Sequence, residues 1–192
     1  MAQDILKQTG RVTRIVESLM NFSHTGSYLE KTKLAPANLA DCVDEAIHLL
    51  ALDREARPVQ FDNQCDRELL VLADSQRLLQ VFINLLGNAR DACDNAGEVH
   101  IRASKSGDQV QIDVEDNGSG IPPELQAQVF EPFFTTKDPG VGTGLGLALV
   151  FSIMDDMNGK VHLTSPVSQD AQCGTRVTLS LSSACYGPGY EM

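Results

Sequence analysis

A long amphipathic helix followed by two alternating strands is the feature that most constrains this fold. Residues 74–95 place apolar side chains at helical spacing, and Gly97 is predicted to end the helix. Residues 98–104 and 109–115 alternate apolar and polar side chains around a Ser-Gly-Asp turn, which predicts a hairpin. This mixture of helices and half-buried strands indicates an α+β fold with a mixed sheet.

Further elements flank this unit on both sides. Asn38 is predicted to cap a helix, because its side chain can accept a backbone N–H of the first turn. We expect one domain over residues 31–182 and a flexible tail over 183–192. The other predicted elements are helices over 38–52 and 145–157, a short turn that starts at Pro122, and strands over 59–61, 69–72, 160–164 and 175–181.

Residues 2–27 are predicted to form a separate helix, within a partial domain over residues 1–30. Ile5, Val12 and Leu19 recur every seven residues, as in a helix that packs along one stripe. A single amphipathic helix is marginal in water, so it must pack on a partner. That partner is either the rest of its own chain or, in a helical hairpin, a second copy in a homodimer.

The charge of the chain excludes some kinds of partner. The sequence has 15 Lys and Arg against 26 Asp and Glu, a formal net charge of −11. Such a chain repels phosphate backbones, so we expect no nucleic-acid partner. A bound phosphate would need local backbone N–H groups, one or two cations or a metal ion. Five cysteines without a Cys-x-x-Cys pair fit a reducing compartment such as the cytoplasm.

Three polar side chains share one face of the helix over 74–95. Asn84, Asn88 and Asp91 are separated by four and three residues, which places them about one turn apart. Because this face adjoins the apolar stripe, the three side chains need polar partners. Oxygen ligands at this spacing suit Mg²⁺, which also keeps phosphate and water as ligands. The alternative is an ordinary polar stripe on the surface.

Two glycine-rich segments are predicted to form loops beside a ligand. Asp116 directly follows a strand and precedes Asn-Gly-Ser-Gly, so its carboxylate can point into a pocket. A second segment, Gly140 to Leu147, leads into a helix that Thr143 can cap, and free N–H groups at a helix start bind phosphate. Lys137 lies upstream and can reach such a phosphate. Each segment alone is also compatible with a plain turn or a flexible loop.

The order and spacing of these segments resemble the N, G1, F, G2 and G3 boxes of sensor histidine kinases, over about residues 33–181. The F segment is similar to that of the nitrogen-regulator and dicarboxylate-sensor branch. The resemblance implies the Bergerat α/β sandwich, a mixed sheet on three helices shared with gyrase, MutL and the ninety-kilodalton heat-shock chaperone. The five segments are Asn84-Leu-Leu-Gly-Asn88-Ala-Arg-Asp91, Asp116-Asn-Gly-Ser-Gly120, Phe130-Glu-Pro-Phe-Phe134-Thr-Thr-Lys137, Gly142-Thr-Gly-Leu-Gly146-Leu and Gly174-Thr175.

The resemblance also implies which residues bind ATP and Mg²⁺. Asn88 would supply an oxygen to Mg²⁺, and Asn84 would lie beside the phosphates. Asp116 would accept the adenine amino group, and Thr175 would line the adenine pocket. Gly118 and Gly120 would let the base approach. Lys137 and a lid over about residues 132–143 would close over the phosphates. The remaining implied ATP-binding residues are Asp91, Gly142, Thr143, Gly144, Leu145, Gly146 and Leu147.

The implied activity is that of a protein-histidine kinase, which transfers the ATP γ-phosphate to a histidine for relay to a response-regulator receiver domain. Asn84 stands where related ATPases have a Glu base, and a neutral amide cannot take a proton from water, which favours transfer over hydrolysis. Asp91-Ala92 replaces the Lys-Tyr of many family members. A hydrolytic ATPase and a nucleotide-binding dimerisation module without kinase activity are the alternatives.

The histidine that would accept the phosphate is expected to be absent from this chain. None of its four histidines stands in the H-[ED]-x-x-[NTRQ] pattern that the family uses. We therefore expect that the chain alone binds Mg·ATP but does not autophosphorylate. The resemblance further implies a cytoplasmic domain, homodimerisation through the N-terminal helix and a parent protein that can be anchored in the inner membrane.

Overall fold

A computed structural model describes residues 33–53, 58–93, 97–137, 142–167 and 173–185. The predicted N-terminal helix and most of the predicted tail lie outside these ranges. Within them, no helix combines the length and the apolar character needed to cross a membrane. The elements are β1 (Ala35–Asn38), α1 (Leu39–Ala51), β2 (Val59–Asn63), β3 (Leu70–Ala73), α2 (Ser75–Ala92), β4 (Gly97–Ser106), β5 (Gln109–Asp116), α3 (Pro123–Gln126), α4 (Gly146–Asp156), β6 (Lys160–Thr164) and β7 (Thr175–Ser182).

A five-stranded mixed sheet forms one layer of the fold. Its order is β2-β4-β5-β7-β6, in which β2 runs parallel to β4 and every other neighbouring pair is antiparallel. β1 and β3 pair separately as a two-stranded antiparallel sheet. This arrangement of helices on a mixed sheet confirms the predicted α+β class.

One face of the large sheet is buried against the helices. Strand residues alternate, so Ile101 on β4 and Ile112 on β5 point inward and are fully buried. α2 lies between α1 and α4 and contacts β5, which makes it the central helix. The opposite face carries cross-strand ion pairs, including one between Arg176 and Glu115. The apolar side chains that predicted an amphipathic α2 therefore pack in a core on one face of the sheet.

α2 has a clear start and ends earlier than predicted. Asp74 caps it, since its carboxylate accepts the N–H groups of Gln76 and Arg77 at 3.1 and 3.2 Å. The helix ends at Ala92, and Gly97 is the first residue of β4. The prediction that Gly97 ends this helix was therefore wrong, because the chain has already turned into the sheet at that residue.

Other parts of the sequence prediction differ from the structure at element ends. The cap at Asn38 is confirmed, because its side chain accepts the Asp41 N–H at 3.1 Å. Strand β1 was not predicted, since its Pro36 weakens the strand pattern, although an edge strand tolerates proline. Beyond β7, the Ser183 N–H donates to the Asp108 carbonyl at 2.8 Å. The first residue of the predicted tail is therefore hydrogen-bonded to the domain.

We expect the core around α2 to dominate stability. Phe82 is fully buried, so Phe82→Ala should lower the free energy of unfolding by about 3–5 kcal/mol through lost burial and a cavity. Leu52 is 64% exposed, and the control Leu52→Ala should change it by less than about 0.5 kcal/mol. Urea denaturation of both variants measures these changes. Equal losses of unfolding free energy in the two variants would contradict the position of the core.

Candidate functional site

An open pocket lies between α2 and the inward face of β5 and β7. Most of its lining is apolar, and three side chains on the wall carry polar groups: Asn88, Asp116 and Thr175. A mainly apolar pocket with a few polar groups is typical of a site for a flat organic ligand. The apolar side chains that line it are Leu85, Ala89, Ala92, Val114, Ile121, Leu147, Leu163 and Val177.

Asp116 is a buried carboxylate in the pocket wall. It ends β5, faces inward and is 8% exposed. Its Oδ1 accepts the N–H groups of Gly118 at 2.9 Å and Thr175 at 3.2 Å. Burial raises its pKa to about 6, while these two hydrogen bonds act in the opposite direction. In the described parts of the chain Oδ2 accepts no hydrogen bond, so it is available to an N–H donor of a ligand.

Gly118 is required by packing of the loop after β5 on the end of α2. A Cβ at this position would lie 2.6 Å from the Ala92 carbonyl oxygen, a distance that side chains do not reach. The same carbonyl accepts the Ser119 N–H at 3.1 Å. The structure therefore supplies a packing reason for Gly118, whereas its predicted closeness to a bound base remains a prediction. Gly120 lines the pocket.

The start of α4 lies against two of the asparagines on α2. A Cβ on Gly146 would be 3.1 Å from Asn84 Oδ1 and 3.6 Å from Asn88 Nδ2. Asn84 Nδ2 donates to the Gln80 carbonyl at 2.8 Å, which leaves its Oδ1 facing α4. The predicted face of α2 thus meets a helix N-terminus, and the two asparagines are brought together there.

The N-terminus of α4 has no side-chain cap. The N-cap residue is Leu145, and the Thr143 hydroxyl accepts the Leu145 N–H at 3.4 Å, one residue before the helix. The prediction that Thr143 caps this helix was therefore wrong. Because the first intrahelical bond joins the Leu149 N–H to the Leu145 carbonyl, the N–H groups of Gly146, Leu147 and Ala148 lack intrahelical acceptors. Such an end favours an anion.

Lys137 and Asp91 come together as an ion pair. Lys137 Nζ lies 2.5 Å from Asp91 Oδ2, and both side chains are partly exposed. Asp91 is in the last turn of α2, so the pair joins this helix to the segment that precedes residues 138–141. The sequence predicted that the Lys137 ammonium group contacts a bound phosphate. In this structure that group is paired with the Asp91 carboxylate.

A backbone hydrogen bond joins the two ends of the predicted lid. The Phe133 N–H donates to the Gly144 carbonyl at 2.8 Å. Gly144 has a φ of +67°, and a Cβ there would lie 2.4 Å from the Phe133 carbonyl carbon, so only glycine fits. The central residues 138–141 lie outside the described ranges. The F and G2 segments are therefore in tight contact where the predicted lid joins the domain.

Ser165 and Gln126 are neighbours of the pocket that sequence reasoning missed. The Ser165 hydroxyl accepts the Ile121 N–H at 2.7 Å, across 44 residues of sequence. Gln126 Nε2 donates to the carbonyl oxygens of both Ile121 and Ser165. Neither residue lies in a motif that indicates a ligand, and contacts between residues this distant in sequence leave no local pattern.

We expect Asp116→Asn to stabilise the chain at neutral pH. The pKa of Asp116 rises from 3.8 to about 6 on folding, so wild-type stability falls between these values as pH rises, by about 3 kcal/mol. The amide has no such charge, yet it can still accept the two N–H groups. Denaturation experiments between pH 4 and 8 should show that Asp116→Asn is more stable than the wild type at pH 8. The difference in unfolding free energy between the two proteins should shrink towards pH 4. A stability difference that does not depend on pH would contradict the conclusion that burial destabilises the ionised Asp116.

Comparison with known proteins identifies the family to which this chain belongs. Residues 73–184 match the family described as histidine kinase-, DNA gyrase B-, and HSP90-like ATPase. Sensor histidine kinase ZraS of Salmonella typhimurium is 34% identical over 167 residues, which cover 86% of this chain and 35% of ZraS. The chain spans about a third of the length of the curated relatives it matches.

Solved structures share the fold over most of the chain. Full-length ShkA in complex with AMPPNP is similar with a TM-score of 0.79 and 25% identity, over 96% of this chain and 39% of ShkA. Histidine kinase ThkA in complex with the response regulator TrrA has a TM-score of 0.72 and 27% identity, over 94% of this chain and 49% of the ThkA chain. These likenesses confirm the predicted sandwich of a mixed sheet and helices.

Proposed function

Because the chain belongs to the histidine kinase-, DNA gyrase B- and HSP90-like ATPase family, we propose that it is the ATP-binding catalytic domain of a sensor histidine kinase. The buried Asp116 carboxylate on the wall of an apolar pocket is the observation that carries this proposal. The AMPPNP bound in the ShkA structure supports an adenine nucleotide as the ligand.

The apolar part of the pocket suits adenine. Leu85 and Ala89 on α2 face Val177 on β7 across the pocket, and Ile121 adds to the lining. Asp116 Oδ2 would accept the exocyclic amino group of the base, a hydrogen bond to a charged acceptor worth about 1.5–3 kcal/mol. Guanine has a carbonyl oxygen at the corresponding position, which the carboxylate would repel. The pocket would therefore select adenine over guanine.

The polar end of the pocket suits phosphates and Mg²⁺. The free N–H groups at the start of α4 would hold phosphate oxygens. The Asn88 amide, which makes no hydrogen bond within the described ranges, is an oxygen ligand of the kind Mg²⁺ prefers. No group of three or more His, Cys, Asp or Glu in those ranges is arranged to hold a metal. Bound Mg²⁺ would offset the phosphate charge.

Lys137 would need to change partner to contact phosphate. Its ammonium group is paired with Asp91, whose carboxylate would repel an incoming phosphate. An exposed ion pair of this kind is weak, about 0–1 kcal/mol, so phosphate can compete for the lysine. We therefore assign Lys137 to the phosphates and Asp91 to holding this lysine near them.

The reaction would be phosphoryl transfer to a histidine and then to a response-regulator aspartate. Asn84 offers an amide and no base beside the α4 terminus, which disfavours activation of water. Phosphoryl transfer depends mainly on positioning and charge stabilisation, which this site can supply. The ThkA–TrrA complex supports a receiver-domain partner. Residues 1–30 would dimerise, in a cytoplasmic region of a protein that can be anchored in the inner membrane.

We predict that Asp116→Ala weakens Mg·ATP binding about 10- to 150-fold at pH 7.5, because a charge-assisted hydrogen bond is lost. Wild-type affinity should fall as pH drops through about 6, where Asp116 protonates and loses its acceptor charge. Isothermal titration calorimetry measures both effects. Asp113→Ala, on the outward face of β5, is the matched control and should bind as the wild type does. Unchanged affinity in Asp116→Ala would refute the adenine assignment.

We further predict that the chain does not phosphorylate itself. His48 and His162 are exposed, but neither they nor His24 and His100 lie in the phosphoacceptor pattern. After incubation with γ-labelled ATP and Mg²⁺, the chain should carry no acid-labile phosphate. A stable phosphohistidine would contradict this prediction. Sustained release of inorganic phosphate would instead favour the hydrolytic ATPase.

A further inference from the structure

A single hydroxyl joins two loops that flank the Asp116 carboxylate. Ser165 follows β6 and is partly buried. Its Oγ accepts the Ile121 N–H at 2.7 Å and donates to the Gly174 carbonyl at 2.9 Å. The Thr175 hydroxyl lies 3.4 Å from Ser165 Oγ. Ser165 thus connects the loop after β5 to the turn before β7.

A side chain from α3 supports this connection. Gln126 Nε2 donates to the Ile121 carbonyl at 2.9 Å and to the Ser165 carbonyl at 2.7 Å. The same two loops also meet where the Gly174 N–H donates to the Gly118 carbonyl at 2.8 Å. The region from Gly118 to Gln126 is therefore held to Ser165 and to the turn at Gly174, which are about 40 or more residues away in sequence, beside the pocket.

Both joined loops supply the N–H donors of Asp116. One donor is Gly118, in the loop after β5, and the other is Thr175, at the start of β7. Both bind Oδ1, so their positions determine the direction of Oδ2. If the loops separate, the carboxylate loses the contacts that fix its orientation. The hydrogen bonds of Ser165 therefore bear on the group that we assign to adenine.

We propose that Ser165 is a positioning residue for base recognition, which holds the Ile121 loop and the Gly174–Thr175 turn so that Asp116 keeps one orientation. This inference rests on the proposed adenine site. Without the hydroxyl, the Ile121 N–H loses its partner, and the Gly174 carbonyl keeps only the Val167 N–H at 3.3 Å. An unpaired N–H group is costly where burial limits access to water. Among the described residues, none of the hydrogen bonds around Ser165 involves Asn84, Asn88 or Lys137.

The test compares two nucleotides that differ only at the adenine amino group. Mg·ATP and the Mg complex of purine riboside triphosphate, which lacks this group, are titrated into the wild type, Ser165→Ala and Ser165→Thr. Ser165→Ala should weaken ATP binding about 10-fold but weaken analogue binding less than about 2-fold, because the analogue does not use Asp116. Ser165→Thr retains the hydroxyl and should restore ATP binding.

Controls separate positioning from folding. Ser104→Ala, at an exposed position on β4, should bind both nucleotides as the wild type does. If Ser165→Ala does not fold, Gln126→Ala removes the second connection and should show the same selective loss of ATP affinity. Equal losses for both nucleotides, or wild-type ATP affinity in the folded variants, would overturn the role of Ser165. Absence of ATP binding by the wild type would overturn the proposed function and this inference together.

Discussion

The burial of the Asp116 carboxylate is the constraint on which the rest of the site depends. A charge at 8% exposure is unfavourable, and its pKa of about 6 reflects that cost. Two backbone N–H groups compensate in part. They come from the loop after β5 and from the start of β7, which the pairing of β5 with β7 brings together. The pocket therefore retains a destabilising charge, which is the pattern expected where function, rather than stability, selects a residue.

The site divides into an apolar half and an anion-binding half. The apolar half lies between α2 and the sheet, with Asp116 as its polar group. The other half combines the uncapped start of α4 with Asn84 and Asn88. This division explains how a chain with a net charge of −11 can attract an anionic ligand. Local N–H groups and amides, rather than the overall field, would hold the phosphates.

Local patterns predicted much of this arrangement, and long-range contacts account for what they missed. Periodicity identified α2 and the β4–β5 hairpin, and the strand end placed Asp116 beside a pocket. The pairing of Lys137 with Asp91 joins residues 46 apart, and that of Ser165 with Ile121 spans 44, so neither leaves a sequence signature. The early end of α2 likewise follows from how β4 enters the sheet.

The most direct test is calorimetric titration of the wild-type chain with Mg·ATP and with Mg·GTP at pH 7.5. We expect saturable binding of ATP at one site per chain and at least about 10-fold weaker binding of GTP, because the carboxylate accepts the adenine amino group and repels the guanine carbonyl. Folding is checked in the same sample by circular dichroism. Equal affinities, or no heat from ATP with a folded chain, would contradict an adenine site built around Asp116.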